Sequence, residues 1–217
     1  MGAIAKFYEE GGPFMHAIAF VSVLGLAVVI ERFIFLFFKY NINATAFMAQ
    51  IQKLVMANNI DRAIKLCNAA PSAALPKVIK AGLTRANKGQ IEVQNAIEEA
   101  TLEVVPLVQK RTNSLLALAN IATLLGLLGT IFGMIAAFEA VAHAPPDQKA
   151  NALAGAISIA MNTTAFGLMV AIPLLGAHIF LDNVTKKIIN EIDQYSVKLE
   201  NLLASRSKGE TSPLDRR

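Results

Sequence analysis

The sequence has one cysteine, Cys67, in 217 residues, which excludes an internal disulfide and fits a reducing compartment. Its three histidines, His16, His143 and His178, are scattered, so no metal-ligand spacing is present. The apolar stretches hold no Ser-His pair and no paired carboxylates, and no glycine-rich nucleotide loop occurs anywhere, which removes the common hydrolytic constellations and bound ATP as an energy source. We therefore expect no enzyme, no metal and no cofactor. The N-terminus is not expected to act as a secretory leader. Glu9 and Glu10 stand where a basic region belongs, and no small-residue cleavage site closes the first apolar run, so that run is expected to be retained.

The most informative absence is of charge. Residues 115–138 and 151–181 contain no Lys, Arg, Asp or Glu, and neither do residues 14–30. The first two runs exceed the roughly 20 apolar residues a helix needs to cross a bilayer core. With 54% hydrophobic residues and a mean hydropathy of +0.48, a soluble domain of this length could not hide three such runs. The composition points to an all-α integral membrane protein with three transmembrane helices and long cytoplasmic helical extensions.

What charge there is lies to one side. Of 20 Lys and Arg, only Lys6 and Lys149 fall outside the segments we assign to the inner face. Such basic residues flank apolar spans and follow the positive-inside rule; they are not a nucleic-acid footprint. The expected order is an interfacial segment 1–13, a first span 14–38, an inner helical domain 39–113, a second span 114–141, an outer link 142–150, a third span 151–181, an inner helix 182–204 and a disordered tail 205–217. The N-terminus is then periplasmic, and the large loop and C-terminus are cytoplasmic. Arg32 is expected to snorkel from the first span to the headgroups. Within the loop, Asn58-Asn59, Pro71 and Lys88-Gly89 divide helices at 44–57, 61–69 and 75–86. A further helix starts at Gln90 with Ile91, Ala96 or Ile97, Leu102 and Val105 on its apolar side, kinks at Pro106 and is expected to run on into the second span. Pro145-Pro146 in the short link makes spans two and three an antiparallel hairpin. Beyond Leu181, the spacing of Ile188, Ile192, Tyr195, Leu199 and Leu202 continues the third helix.

Inside the hairpin the residue types change. Gly126, Gly129 and Gly133 clear one stripe of span two and let a second backbone approach, while Thr123 and Thr130 lie a heptad apart on a neighbouring stripe. Span three brings Ser158, Asn162, Thr163, Thr164 and Gly167, and Pro173 frees a carbonyl further on. Two readings are open. The hydroxyls either bond back to their own helix carbonyls or form a water-accessible polar lining. Mid-membrane ionisable groups, which an ion path ordinarily needs, are lacking, so either there is no path or another polypeptide supplies the carboxylate. Glu139, at the outer end of span two, either gathers cations at a mouth or is simply interfacial.

These residues carry a resemblance. LLGLLGTIFGM from Leu124, NTTAFGLMVAIP from Asn162, Glu31-Arg32 at the end of span one and LPKVIKAGL in the loop resemble the MotA/TolQ/ExbB family of ion-driven motor subunits, nearer the TolQ/ExbB branch in having three spans. The resemblance implies a homopentamer in the bacterial inner membrane around two copies of a single-span partner of the TolR/ExbD/MotB type, whose membrane aspartate titrates. It implies that Thr130 and Thr164, with Thr163 adjacent, line the proton pathway, and that proton flow is coupled to mechanical work. The chain departs from that branch at Ile159, where the family usually has a glutamate. A non-conducting scaffold, with glycine stripes serving assembly alone, is the alternative.

Overall fold

The structure is a computed structural model and describes residues 12–40 and 42–210, with side chains through residue 206. The expected interfacial segment and most of the expected tail lie outside the described residues. All regular elements among the described residues are helical: α1 (Phe14–Ile34), a π-helical continuation (Phe35–Tyr40), α2 (Ala44–Met56), α3 (Ile60–Asn68), α4 (Ala74–Thr84), α5 (Gln90–Gln109), α6 (Thr112–His143) and α7 (Lys149–Glu210). Three stretches, within Phe14–Met56, Gln90–His143 and Lys149–Arg206, are long and apolar enough to cross a membrane. The chain divides into two compact units, one of residues up to Arg32 with Arg111–Phe180, the other of Phe33–Lys110 with Leu181 onward.

In the first unit α1 turns Met15, Ile18, Val21 and Gly25 inward and leaves Phe20, Val23, Leu26 and Ile30 exposed. A helix that is apolar on its outer face as well as its inner one is built for hydrocarbon surroundings. Gly25 lets it close on α7: a Cβ there would stand 2.7 Å from the Leu174 side chain. At the other end Phe14 stacks at a tilt on Phe132 of α6, ring centroids 5.3 Å apart. Arg32 differs from expectation. It is 2% exposed, so its guanidinium is held within the protein and does not reach for headgroups. Its neighbour Glu31 accepts a hydrogen bond from the Arg111 guanidinium.

The second difference is at the start of α6. The helix from Gln90 does not run into the span: α5 ends at Gln109, Lys110 adopts ψ +133°, and Arg111 takes a left-handed φ of +61°. Such a φ is uncommon for a residue with a Cβ. Here the guanidinium is tied to Glu31, and Thr112, Asn113 and Ser114 follow, residue types that favour helix starts over helix interiors. Pro106 stays inside α5, where the Lys110 N–H still reaches its carbonyl at 2.9 Å. Between α6 and α7 the link is short. The Gln148 and Lys149 amides bond to the Pro145 carbonyl at 3.0 and 3.2 Å and start the return helix.

The second unit is a helical domain with its own core. Asn43 and Asn59 cap α2 and α3 by accepting from the amides of Ala46 and Arg62, at 3.1 and 3.4 Å, as their short side-chain carbonyls suit them to do. Asn58 makes the turn between those helices at φ +56°. Ile51, Val55, Ile79, Leu83, Ile97, Val104, Ile192 and Leu199 are buried, each worth about 1.5–3 kcal/mol when removed from water. Gly82 brings α4 against Ile97 and Leu199. The inward face of α5 is Val93, Ile97, Val104 and Val108, whereas Ile91 and Leu102 point outward at 74% and 70% exposure, correcting the expected face. On α7 the buried row is Ile188, Ile192, Tyr195, Leu199 and Leu203, one position on from Leu202. The helix continues to Glu210, past the point where a tail was expected. Cys67 is buried in this unit, and its burial pushes the thiol up to about 11, against the opposing pull of the Lys80 charge.

Candidate functional site

The candidate site is the α6–α7 hairpin, and its geometry starts from missing side chains. Along α6, Leu115, Ala119, Ala122, Gly126, Gly129 and Ala137 form one buried stripe, spaced at three and four residues so that they stack on one face. The facing stripe of α7 is Ala160, Thr163, Gly167, Ala171 and Leu174. A Cβ on Gly126 would lie 3.3 Å from the Thr164 Cα and 3.4 Å from the Gly167 Cα. One on Gly167 would lie 2.8 Å from the Ala122 carbonyl oxygen. Gly129 and Gly133 face Thr163 and Ala160, where a Cβ would come within 2.3 and 2.6 Å of their side chains. The contacts step back along α7 as they advance along α6, as in an antiparallel pair. Here main chain meets main chain.

The hydroxyls lie beside this seam. Thr164 Oγ1 donates across it to the Gly126 carbonyl at 2.9 Å. Thr163, 2% exposed, donates to the Ile159 carbonyl one turn back at 3.0 Å. Thr123 donates to the Ala119 carbonyl at 3.1 Å and Thr130 to the Leu127 carbonyl at 2.6 Å. Three hydroxyls thus bond back within their helix, as the first of the two readings has it, and the fourth bridges the two helices, which neither reading named. A hydroxyl whose proton is so committed still offers its lone pairs as acceptors. Thr123 is exposed, Thr130 and Asn162 are half-buried, and Glu139 is exposed near the far end of α6. Pro173 is an exposed residue within α7, which continues through it. Ile159, 43% exposed, presents an aliphatic surface.

The sequence reading missed three participants. Ala122 and Ala160 belong to the seam as much as the glycines do, and extending the same three-and-four spacing by one step finds them. His178, set aside as scattered, is brought by α7 to the start of α6, its Nδ1 3.0 Å from the Thr112 carbonyl. Among the described residues no three His, Cys, Asp or Glu side chains come together as a metal site.

Comparison with known proteins gives the family of the chain. Residues 70–194 match the model of the MotA/TolQ/ExbB proton channel family. The chain is 23% identical over 194 residues to a biopolymer transport protein ExbB homolog of Methanothermobacter thermautotrophicus, covering 89% of this chain and 67% of that one. It is 29% identical over 163 residues to the biopolymer transport protein ExbB-like 3 of Synechocystis, covering 73% and 76%. A shorter match, 36% identical over 86 residues, joins it to the biopolymer transport protein exbB1 of Vibrio cholerae, 38% of each chain. Among solved structures it aligns with the MotAB structure of C. jejuni at a TM-score of 0.45 and 14% identity, over 85% of this chain and 80% of that one. Three apolar helices, a glycine-seamed hairpin and a match over more than half its length make this chain a multi-pass membrane protein of the MotA/TolQ/ExbB proton channel family.

Proposed function

We propose that the chain is the channel-forming subunit of a proton-driven motor in a bacterial inner membrane, assembled as a homopentamer around a pair of single-span partners. The observation that carries this reading is the row of hydroxyls beside a seam of small residues, in spans that lack a mid-membrane carboxylate of their own. The partner's membrane aspartate supplies the titrating group. With their protons committed to main-chain carbonyls, Thr123 and Thr130 offer acceptors, which suit the neutral, protonated carboxyl or a water carrying the proton; turning a hydroxyl outward favours the carboxylate instead. Protonation from outside and release inside then alternate which environment the partner helix prefers. One charge crossing 100 mV is worth about 2.3 kcal/mol, several times thermal energy, so the membrane voltage can bias each step. The N-terminus lies on the periplasmic side and the α2–α5 domain in the cytoplasm, where the basic residues cluster.

A scaffold role is the second reading. It is favoured by Thr164, whose hydroxyl serves the seam itself. The test is to purify the complex through a tag on this chain, identify any co-purifying single-span protein, and reconstitute the complex in liposomes with an internal pH dye. Voltage-driven proton uptake that disappears in Thr130→Val with Thr164→Val, while complex size is unchanged, supports the channel. An intact complex with no uptake in the unsubstituted protein leaves the scaffold.

A further inference from the structure

Resting on that channel reading, we propose that His178 is the residue that hands protons from the hydroxyl-lined zone to the cytoplasmic water. His178 follows Thr164 by two heptads on α7, which keeps both on one side of the helix, about 21 Å apart along its axis. It is half-buried, and its Nδ1 stands 3.0 Å from the Thr112 carbonyl. A carbonyl oxygen only accepts, so Nδ1 carries the ring proton and Nε2 is the bare, basic nitrogen. Beside this contact Thr112 is 2% exposed, and its hydroxyl oxygen has no hydrogen-bond partner among the described residues. Such a group is ordinarily satisfied by an ordered water, and a proton passed along water needs that kind of oxygen next to its acceptor.

Lys110 and Arg111 precede Thr112, Arg111 being paired with Glu31; α1 also carries Arg32; and Asp182, one turn on along α7, is paired with Lys186 at 2.7 Å. Glu139 and His143 sit at the other end of α6. At this end of the hairpin, among the described residues, His178 is the imidazole, a side chain with one nitrogen that donates and one that accepts. The step balances without a ring flip. Nε2 takes a proton from water in the lining and the ring becomes an imidazolium; Nε2 then returns a proton to inner water, while the Nδ1–H stays on the Thr112 carbonyl throughout.

The test uses the complex purified through this chain and reconstituted in liposomes. In His178→Asn the side-chain amide keeps an N–H donor where Nδ1–H stood but cannot titrate. We expect a complex of unchanged size, proton uptake reduced roughly 100-fold, as for loss of an acid–base group, and a changed pH profile of uptake. In His178→Ala, added imidazole restores uptake. Unchanged uptake and pH profile in His178→Asn make the residue a tether and overturn the proposal, as does failure of both variants to assemble. If uptake survives in His178→Asn but is abolished by the threonine substitutions, the channel reading stands and the His178 role alone falls. If the unsubstituted complex conducts nothing, both fall.

Discussion

Thr164 donates its hydroxyl to the carbonyl of Gly126 at 2.9 Å, across a helix pair so close that a Cβ on Gly126 would lie 3.3 Å from the Thr164 Cα. The bond and the missing side chain depend on each other. A Cβ at 126 requires the α7 backbone at Thr164 and Gly167 to give by a few tenths of an ångström, at the position where the bond is made. Removing the hydroxyl leaves the helices close but unlinked.

Thr164→Ser should therefore keep both the link and proton uptake. Thr164→Val should lose uptake and cost about 1 kcal/mol of stability, the usual worth of an interhelical hydrogen bond in a membrane. Uptake in reconstituted liposomes and thermal unfolding in detergent separate the two effects. Full uptake in Thr164→Val would remove this hydroxyl from the pathway.

The glycines should not be equivalent. In Gly167→Ala the new Cβ meets the Ala122 carbonyl oxygen at 2.8 Å, a main-chain atom that cannot turn aside, so the variant should be destabilised by about 1–3 kcal/mol, as overpacked sites are. Gly176 has nothing within 4 Å of such a Cβ. Gly176→Ala should leave the melting temperature of the purified chain unchanged or slightly raised. Equal losses in the two variants would mean that the seam does not limit approach.

The Glu31–Arg111 pair should contribute little by itself. Its side chains are 34% and 49% exposed, and pairs of that exposure couple by about 0.2–1 kcal/mol. A double-mutant cycle with Glu31→Gln and Arg111→Gln should return a value in that range. Arg111→Gly should recover part of its loss, because glycine takes φ +61° without the steric cost that arginine bears. A coupling several times larger would make the pair a main support of the α6 start.

Cys67 should be inert. Burial holds its thiol protonated up to about 11, and the thiolate is the reactive form, so alkylation of the folded protein at neutral pH should be slow and should accelerate on unfolding. The linkage has a definite sign. A folded pKa raised above the unfolded value of 9.0 leaves stability intact below pH 9 and removes it as pH rises from 9 toward 11, because only the unfolded chain ionises there. Denaturation midpoints across that window should fall in the native sequence and fall less in Cys67→Ala.

Much of the membrane part was legible because its signals are absences. Uncharged runs located the spans, and Pro145-Pro146 located the hairpin, since few alternatives suit such stretches. The break before α6 was not legible. It is a positive φ at an arginine held by an ion pair with Glu31, and neither propensity nor periodicity encodes that contact. The apolar side of α5 was assigned to Ile91, Ala96 or Ile97, Leu102 and Val105, yet the rest of the domain meets the helix along Val93, Ile97, Val104 and Val108, so that of the assigned residues Ile97 alone is buried. The threonines were found by type and spacing, but where each hydroxyl points was not: a back-bonded and a bridging threonine look identical in sequence. His178 was passed over because its partner is a main-chain carbonyl, which no motif records.

The contact of Gly126 with Gly167 has a mechanical consequence. Side chains ordinarily act as springs between helices, changing rotamer to absorb a push. Here the two ribbons touch directly, so a displacement of one is delivered undamped to the other, and the hairpin shifts as a stiff strut whose compliance must lie outside this joint.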